Sequence, residues 1–113
     1  IYIHMATTYK LLGQQNPGAS WTALYTVPSS TSAVLSTVVI CNTSASARTF
    51  RVAVVSSSAT TPTAANALAY DTALPPNETI VMTMGVTLGA SYCLKVYGST
   101  TDVTFTAFGS EIT

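Results

Sequence analysis

"TIVMTMGVTL", residues 79–88, runs through two complete sets of side chains in strict alternation. Ile80, Met82, Met84, Val86 and Leu88 share one parity, and Val81, Thr83, Gly85 and Thr87 share the other. A repeat of two is that of an extended strand with one face on a core and the other on water. A helix would instead need apolar residues three and four apart with charges opposite, and no window of the chain shows that spacing. Moving outward, Phe50, Val52 and Val54 alternate with Arg51, and Val103, Phe105 and Ala107 alternate with Thr104, Thr106 and Phe108. Val38–Cys41 interrupts the alternation, which predicts a central strand or one covered on both faces.

Val, Ile, Thr, Tyr and Phe crowd all these segments, and such residues favour strands. Eight strands are predicted, at about 7–13, 21–27, 33–42, 47–56, 67–73, 78–88, 90–98 and 102–112, with Gly, Pro, Asn and Ser between them. This pattern predicts an all-β fold: one antiparallel β-sandwich, jelly-roll or immunoglobulin-like. "LYTVPSSTSAVLSTVV" and "AYDTALPPNETIVMTM" echo each other, each running tyrosine, strand, proline, polar loop, strand. They read as two hairpin-like units that solve one turn problem, since proline cannot donate to a ladder and stops pairing where it stands. The stretch 56–67, "SSSATTPTAANA", reads as a solvated connector or as an arm that reaches a neighbouring subunit.

The 113 residues suit one domain. Residues 5–113 are taken as that domain. Residues 1–4 precede Met5 and read as vector-derived or upstream sequence, because His4-Met5 has the form of a cloning junction. Only 7% of residues are charged and the formal net charge is zero, whereas 20 Thr and 13 Ser supply the polar surface. A surface of hydroxyls is wettable but repels its own kind weakly, so self-association is expected. Lys10, Arg48, Arg51 and Lys95 are scattered, which argues against nucleic acid as a partner. Apolar runs stop at four residues, Val38–Cys41 among them; a spanning helix needs about 20, so no membrane partner is expected.

Catalytic chemistry is sparse. His4 is the one histidine and lies in the suspected junction. Asp71, Glu78, Asp102 and Glu111 are dispersed at predicted turns and strand ends, where an isolated acid is ordinarily a solvated charge. No nucleophile elbow, phosphate loop or dinucleotide motif occurs, and no cofactor or metal is expected. The reading is therefore that the chain is not an enzyme. Asn42-Thr43-Ser44 and Asn77-Glu78-Thr79 match the glycosylation pattern, as chance matches do in a chain so rich in hydroxyls. Cys41 and Cys93 are expected as free thiols, because the parity of "SYCLKVYG" turns Cys93 away from the core that holds Leu94. The same parity places Lys95 and Tyr97 on the outer face, and Phe108 on the next strand also points outward. Lys95, Tyr97 and Phe108 are therefore the candidate protein-contact face. Trp21, Tyr25 and Tyr97 are candidate platforms for a sugar ring.

The stretches "LYTVPSSTSAVLSTVVICNTSASARTFRVAV" and "LPPNETIVMTMGVTLGASYCLKVYGSTTDVTFTAFGSEIT" resemble small structural proteins of tailed bacteriophages, including those of cyanobacteria. The resemblance runs from about Tyr9 to Thr113. It implies a virion component assembled in the bacterial cytoplasm, most concretely a capsid decoration (cement) protein that binds the major capsid or another virion protein and self-associates as a homotrimer. The alternative it implies is a carbohydrate- or receptor-binding module on a tail or fibre. The resemblance carries no functional residues with it, because the family has no chemical motif to match.

Overall fold

The computed structural model describes residues 6–113. The suspected junction at residues 1–4 lies outside that range. Eight strands account for the regular structure: β1 (Thr7–Gln15), β2 (Thr22–Thr26), β3 (Ser32–Asn42), β4 (Arg48–Val55), β5 (Ala67–Leu74), β6 (Thr79–Leu88), β7 (Cys93–Gly98) and β8 (Val103–Ile112). One 3-10 turn, Ala64–Asn66, precedes β5. The predicted strand positions hold throughout, because each rests on local alternation and on the turn residues that stop it.

Two four-stranded antiparallel sheets pack face to face, ordered β1-β8-β3-β6 and β2-β7-β4-β5. Pairing runs β1 with β8, β2 with β7, β3 with β6 and β4 with β5. That is one long hairpin of four strands out and four back, folded at the β4–β5 turn and then rolled. Rolling adds the contacts β3 with β8 and β4 with β7, which complete the sheets. A hairpin rolled in this way is a jelly roll. Of the two sandwiches compatible with the sequence, the strand order selects this one over the immunoglobulin arrangement.

Rolling has a consequence that alternation alone does not show. Every connection except β4–β5 passes from one sheet to the other. The two echoing segments are therefore not hairpins: β2–β3 and β5–β6 are equivalent crossings from the second sheet to the first. Each turns through a residue with left-handed backbone two places after a proline, Ser30 (φ 56°) after Pro28 and Asn77 (φ 57°) after Pro75. "CNTSASARTFRVAV" is likewise a crossing, from β3 in the first sheet to β4 in the second.

The core lies between the sheets. Leu35, Val38 and Ile40 of β3, Val103, Phe105 and Ala107 of β8, Phe50 and Val52 of β4, and Leu94 and Val96 of β7 are all buried. Phe50 and Phe105 meet edge to face across the interface, 6.4 Å between centroids at 71°, which adds about 1 kcal/mol to the burial of the two rings. β3 is central, as the break in its alternation suggested, yet only its inner side is closed; Val39 and Cys41 on its outer side are half-buried.

Candidate functional site

The exposed faces of the two sheets carry the candidate chemistry. On the second sheet the register sets Arg51 of β4 beside Tyr97 of β7. The guanidinium carbon lies 4.1 Å from the Tyr97 ring centroid and 4.2 Å from that of Tyr70 on β5. Trp21, just ahead of β2, leans on Tyr97 at 5.7 Å between centroids. Asp71 fixes the cation: Arg51 Nε donates to Oδ1 at 2.7 Å and Nη2 to Oδ2 at 3.3 Å. Asp71 reaches it from a left-handed backbone (φ 48°) at the slip in register between β4 and β5. Arginine suits the place because a planar cation can stack between rings while forking onto a carboxylate.

Further along the same outer face, the paired residues Ala53 with Lys95 and Val55 with Cys93 are buried. They face away from the core, so something else covers them. The segment 56–66 turns back over this face: Pro62 is buried, the 3-10 turn lies against β4, and Ser91 Oγ donates to the Ser56 carbonyl at 3.4 Å. Thr63 N–H donates to Asn66 Oδ1 at 2.9 Å and Asn66 N–H to the Thr63 carbonyl at 3.0 Å, which holds the turn. Most of the low-complexity stretch is exposed, as a solvated connector would be, and Pro62 is its one buried residue. Its 3-10 turn rests against β4 of its own sheet.

The outer face of the first sheet is different in kind. Its register builds cross-strand rows of Tyr9, Ser110, Val34 and Thr87; of Leu11, Phe108, Thr37 and Thr83; of Gln14, Thr106, Val39 and Val81; and of Thr104, Cys41 and Thr79. No row contains a charge. Tyr9, Val81, Leu11 and Phe108 stand 84%, 57%, 48% and 38% exposed. A shallow cleft of about 400 Å³ lies at one end, lined by Gln14, Gln15, Asn16, Thr104, Phe105 and Thr106. The ion pair of Glu111 sits on the inner parity: Lys10 Nζ lies 2.8 Å from Glu111 Oε1, and Tyr25 Oη donates to Glu111 Oε2 at 2.6 Å. The Lys10 hydrogen bond, with that of Tyr25, holds the Glu111 carboxyl below its ordinary value. Burial, together with Glu111, pushes the Tyr25 phenol up.

These placements sort the candidates from the sequence. Lys95 and Tyr97 do share an outer face, but Lys95 is closed over. Phe108 lies on the other sheet, because the β7–β8 connection crosses between sheets; Lys95, Tyr97 and Phe108 do not form one patch. Trp21 and Tyr97 come together, whereas Tyr25 is buried against Glu111 and offers no open ring. Cys41 and Cys93 are free, one on the outer side of each sheet. Three acids each hold a different cation or phenol: Asp71 with Arg51, Asp102 with Arg48 at 3.0 Å, and Glu111 with Lys10 and Tyr25. Among the described residues no group of His, Cys, Asp and Glu is gathered closely enough to hold a metal ion. The Asn42 side chain of the first glycosylation match is buried and fully hydrogen-bonded, so it presents no acceptor. Sequence reasoning read Asp71 as a solvated charge, where it binds Arg51, and missed Tyr70, Tyr9 and Leu11; parity within β1 was the available signal for the last two. No family model, curated protein or solved structure matches the chain.

Proposed function

We propose that this protein is a structural component of a phage virion, most concretely a capsid decoration protein, that binds neighbouring protein through the outer face of its first sheet. The observation that carries the reading is the absence of charge among the described residues of that face, with Tyr9, Leu11, Phe108 and Val81 exposed on it. The centre of a protein interface is depleted in charge and enriched in aromatic side chains. Threonine and valine around these anchors lose little rotamer freedom on docking. The resemblance of the sequence to phage structural proteins points the same way, and repeated seating on a shell would add avidity to weak single contacts. Cryo-electron microscopy of purified particles tests the reading. Density of this size is expected at fixed positions with the first sheet turned toward its neighbour, and absence of the chain from purified virions ends the idea.

A second reading, a carbohydrate- or receptor-binding module, has the cluster of Trp21, Tyr70 and Tyr97 in its favour. Arg51 already stacks on Tyr70 and Tyr97, so those faces are taken, and these two rings lie on a sheet face, with Trp21 alone in a loop. A glycan array probed at high protein concentration separates the two: silence is expected, and a signal lost on Trp21→Ala would install the second reading in place of the first.

A further inference from the structure

The four outer strands of the sandwich are not equally protected. A free strand edge is a row of unpaired N–H and C=O groups, and proteins blunt such edges with charge, proline, bulges or brevity. β1 carries Lys10 and a slip in register at Leu11–Gly13. β2 is five residues long, with the Gln15 side chain donating to its Ala23 carbonyl at 3.1 Å. β5 is broken by the left-handed Asp71. β6 is ten residues long without a charge or a proline. Its one irregularity sets Met84 and Gly85 against Ser36 of β3, and Thr79–Thr83 pairs with β3 without interruption. Among the described residues, no hydrogen bond reaches the outer edge of this flat run.

A second observation falls on the same edge. Ile80, Met82, Met84 and Val86 point into the sandwich yet remain only partly buried, while the inward residues Leu35, Val38 and Ile40 of adjacent β3 are closed off completely. β5, the edge strand of the opposite sheet, supplies small residues along its middle, Ala69 and Thr72, and one large one, the buried Leu74, at the end that leads into β6. The core is therefore open along β6, and what would close it is a strand, since the backbone edge calls for a ladder.

We propose that β6 pairs antiparallel with β6 of a second copy of this chain about a two-fold axis at Val81, joining the two first sheets into one continuous eight-stranded sheet. In that register Val81 meets its own copy, Ile80 meets Met82 and Thr79 meets Thr83. Every pair is uncharged, so nothing in the self-match repels, and the Ile80–Met82 pairs cover the part of the core left open. An isologous contact of this kind closes on itself at two chains and leaves no further free β6 edge. It differs from the three-fold association that the family resemblance implies, and it stands or falls independently of any place in a virion.

Light scattering after size-exclusion chromatography, on the full chain at about 100 µM, reads the assembly; a micromolar dimer is fully formed at that concentration. A two-chain mass is expected. Val81→Lys places like charges opposite each other at the axis and is expected to weaken association at least about tenfold, while Ala73→Lys on the β5 edge leaves the two-chain mass unchanged. A one-chain or three-chain mass for the wild type overturns the proposal, as does a two-chain mass that survives Val81→Lys. Should Val81→Lys fail to fold, hydrogen exchange on the wild type decides. Amide protection across Thr79–Thr83 that rises with protein concentration supports the pairing, and protection independent of concentration overturns it.

Discussion

Asn42 is the last residue of β3, and its side chain organises two connections at once. The two hydrogens of the amide nitrogen are shared among the carbonyls of Ser46, Leu74 and Pro75 at 2.8, 3.2 and 3.1 Å, and the amide oxygen accepts from the Ser44 N–H and hydroxyl. One side chain thus ties the β3–β4 crossing to the β5–β6 crossing. Removing it strands the buried Leu74 carbonyl, at a cost of about 1–3 kcal/mol, and loosens the part-buried Ser46 and Pro75 carbonyls. Asn42→Ala is expected to lower stability in urea unfolding by about 3 kcal/mol, and exposed Ser46→Ala by less than about 0.5 kcal/mol. The three-residue cluster of Lys10, Tyr25 and Glu111 makes a prediction about pH. Glu111 binds its proton more weakly in the fold than in the open chain. Its contribution is therefore complete above the open-chain value of about 4.3 and fades as pH falls through the lower folded value. Tyr25 holds its proton more tightly, so its contribution is complete below about pH 10 and fades as pH rises beyond. Melting temperature followed against pH should fall at both ends; Glu111→Gln should flatten the acid limb and Tyr25→Phe the alkaline one. The link from Asn42 to Leu74 and Pro75 and the cluster around Glu111 were not legible in the sequence, because their members lie far apart in the chain and meet only once the strands are in register.

At the level of elements, what could be read ahead was what is local. Alternation and the crowding of β-favouring residues located the strands, alternation turned Arg51 outward, and the turn residues bounded the strands within a few positions. Strand partners and bulges are set by distant residues: Thr37 is flanked by Thr83 on one side and Phe108 on the other, and nothing near Thr37 encodes either. That is why Lys95, Tyr97 and Phe108 looked like one patch from consecutive strands and are in fact split between two sheets. Two glycines show how far register decides the meaning of a residue. A Cβ on Gly109 of β8 would collide with the Val34 carbonyl of neighbouring β3, whereas a Cβ on Gly85 of β6 meets nothing within 4 Å. Gly109→Ala should cost more than about 2 kcal/mol, in the range of overpacked cores. Gly85→Ala should stabilise by about 0.5 kcal/mol, since alanine surrenders less backbone freedom in a strand. Thermal unfolding of the pair measures both signs.

For the whole molecule, the sparse charge in the composition becomes a distribution once the strands are placed. Arg51 and Asp71 gather on the second sheet and Lys10 and Glu111 turn to the inner parity, so the outer face of the first sheet is left to hydroxyls and exposed apolar groups. Composition announced a surface with little self-repulsion; it could not say that one face holds all of the neutrality. If that face is what docks, its exposed aromatics matter for binding and not for folding. Phe108 is 38% exposed and Leu11, its neighbour in the ladder, 48%, so a lysine at either place reaches water without disturbing the core. A surface change of this sort alters stability by no more than about 0.5 kcal/mol, which for a domain of this size moves the melting temperature by about 2–4 °C at most. A lysine set into the desolvated centre of an interface must shed its hydration without a partner, and the loss there is several-fold larger. Phe108→Lys and Leu11→Lys are therefore expected to keep the melting temperature of the wild type while their co-sedimentation with particles lacking the native chain drops by about tenfold or more. Equal binding by wild type and both variants would move the contact off this face, and the aromatic cluster around Arg51 would become the surface to mutate next, beginning with Trp21.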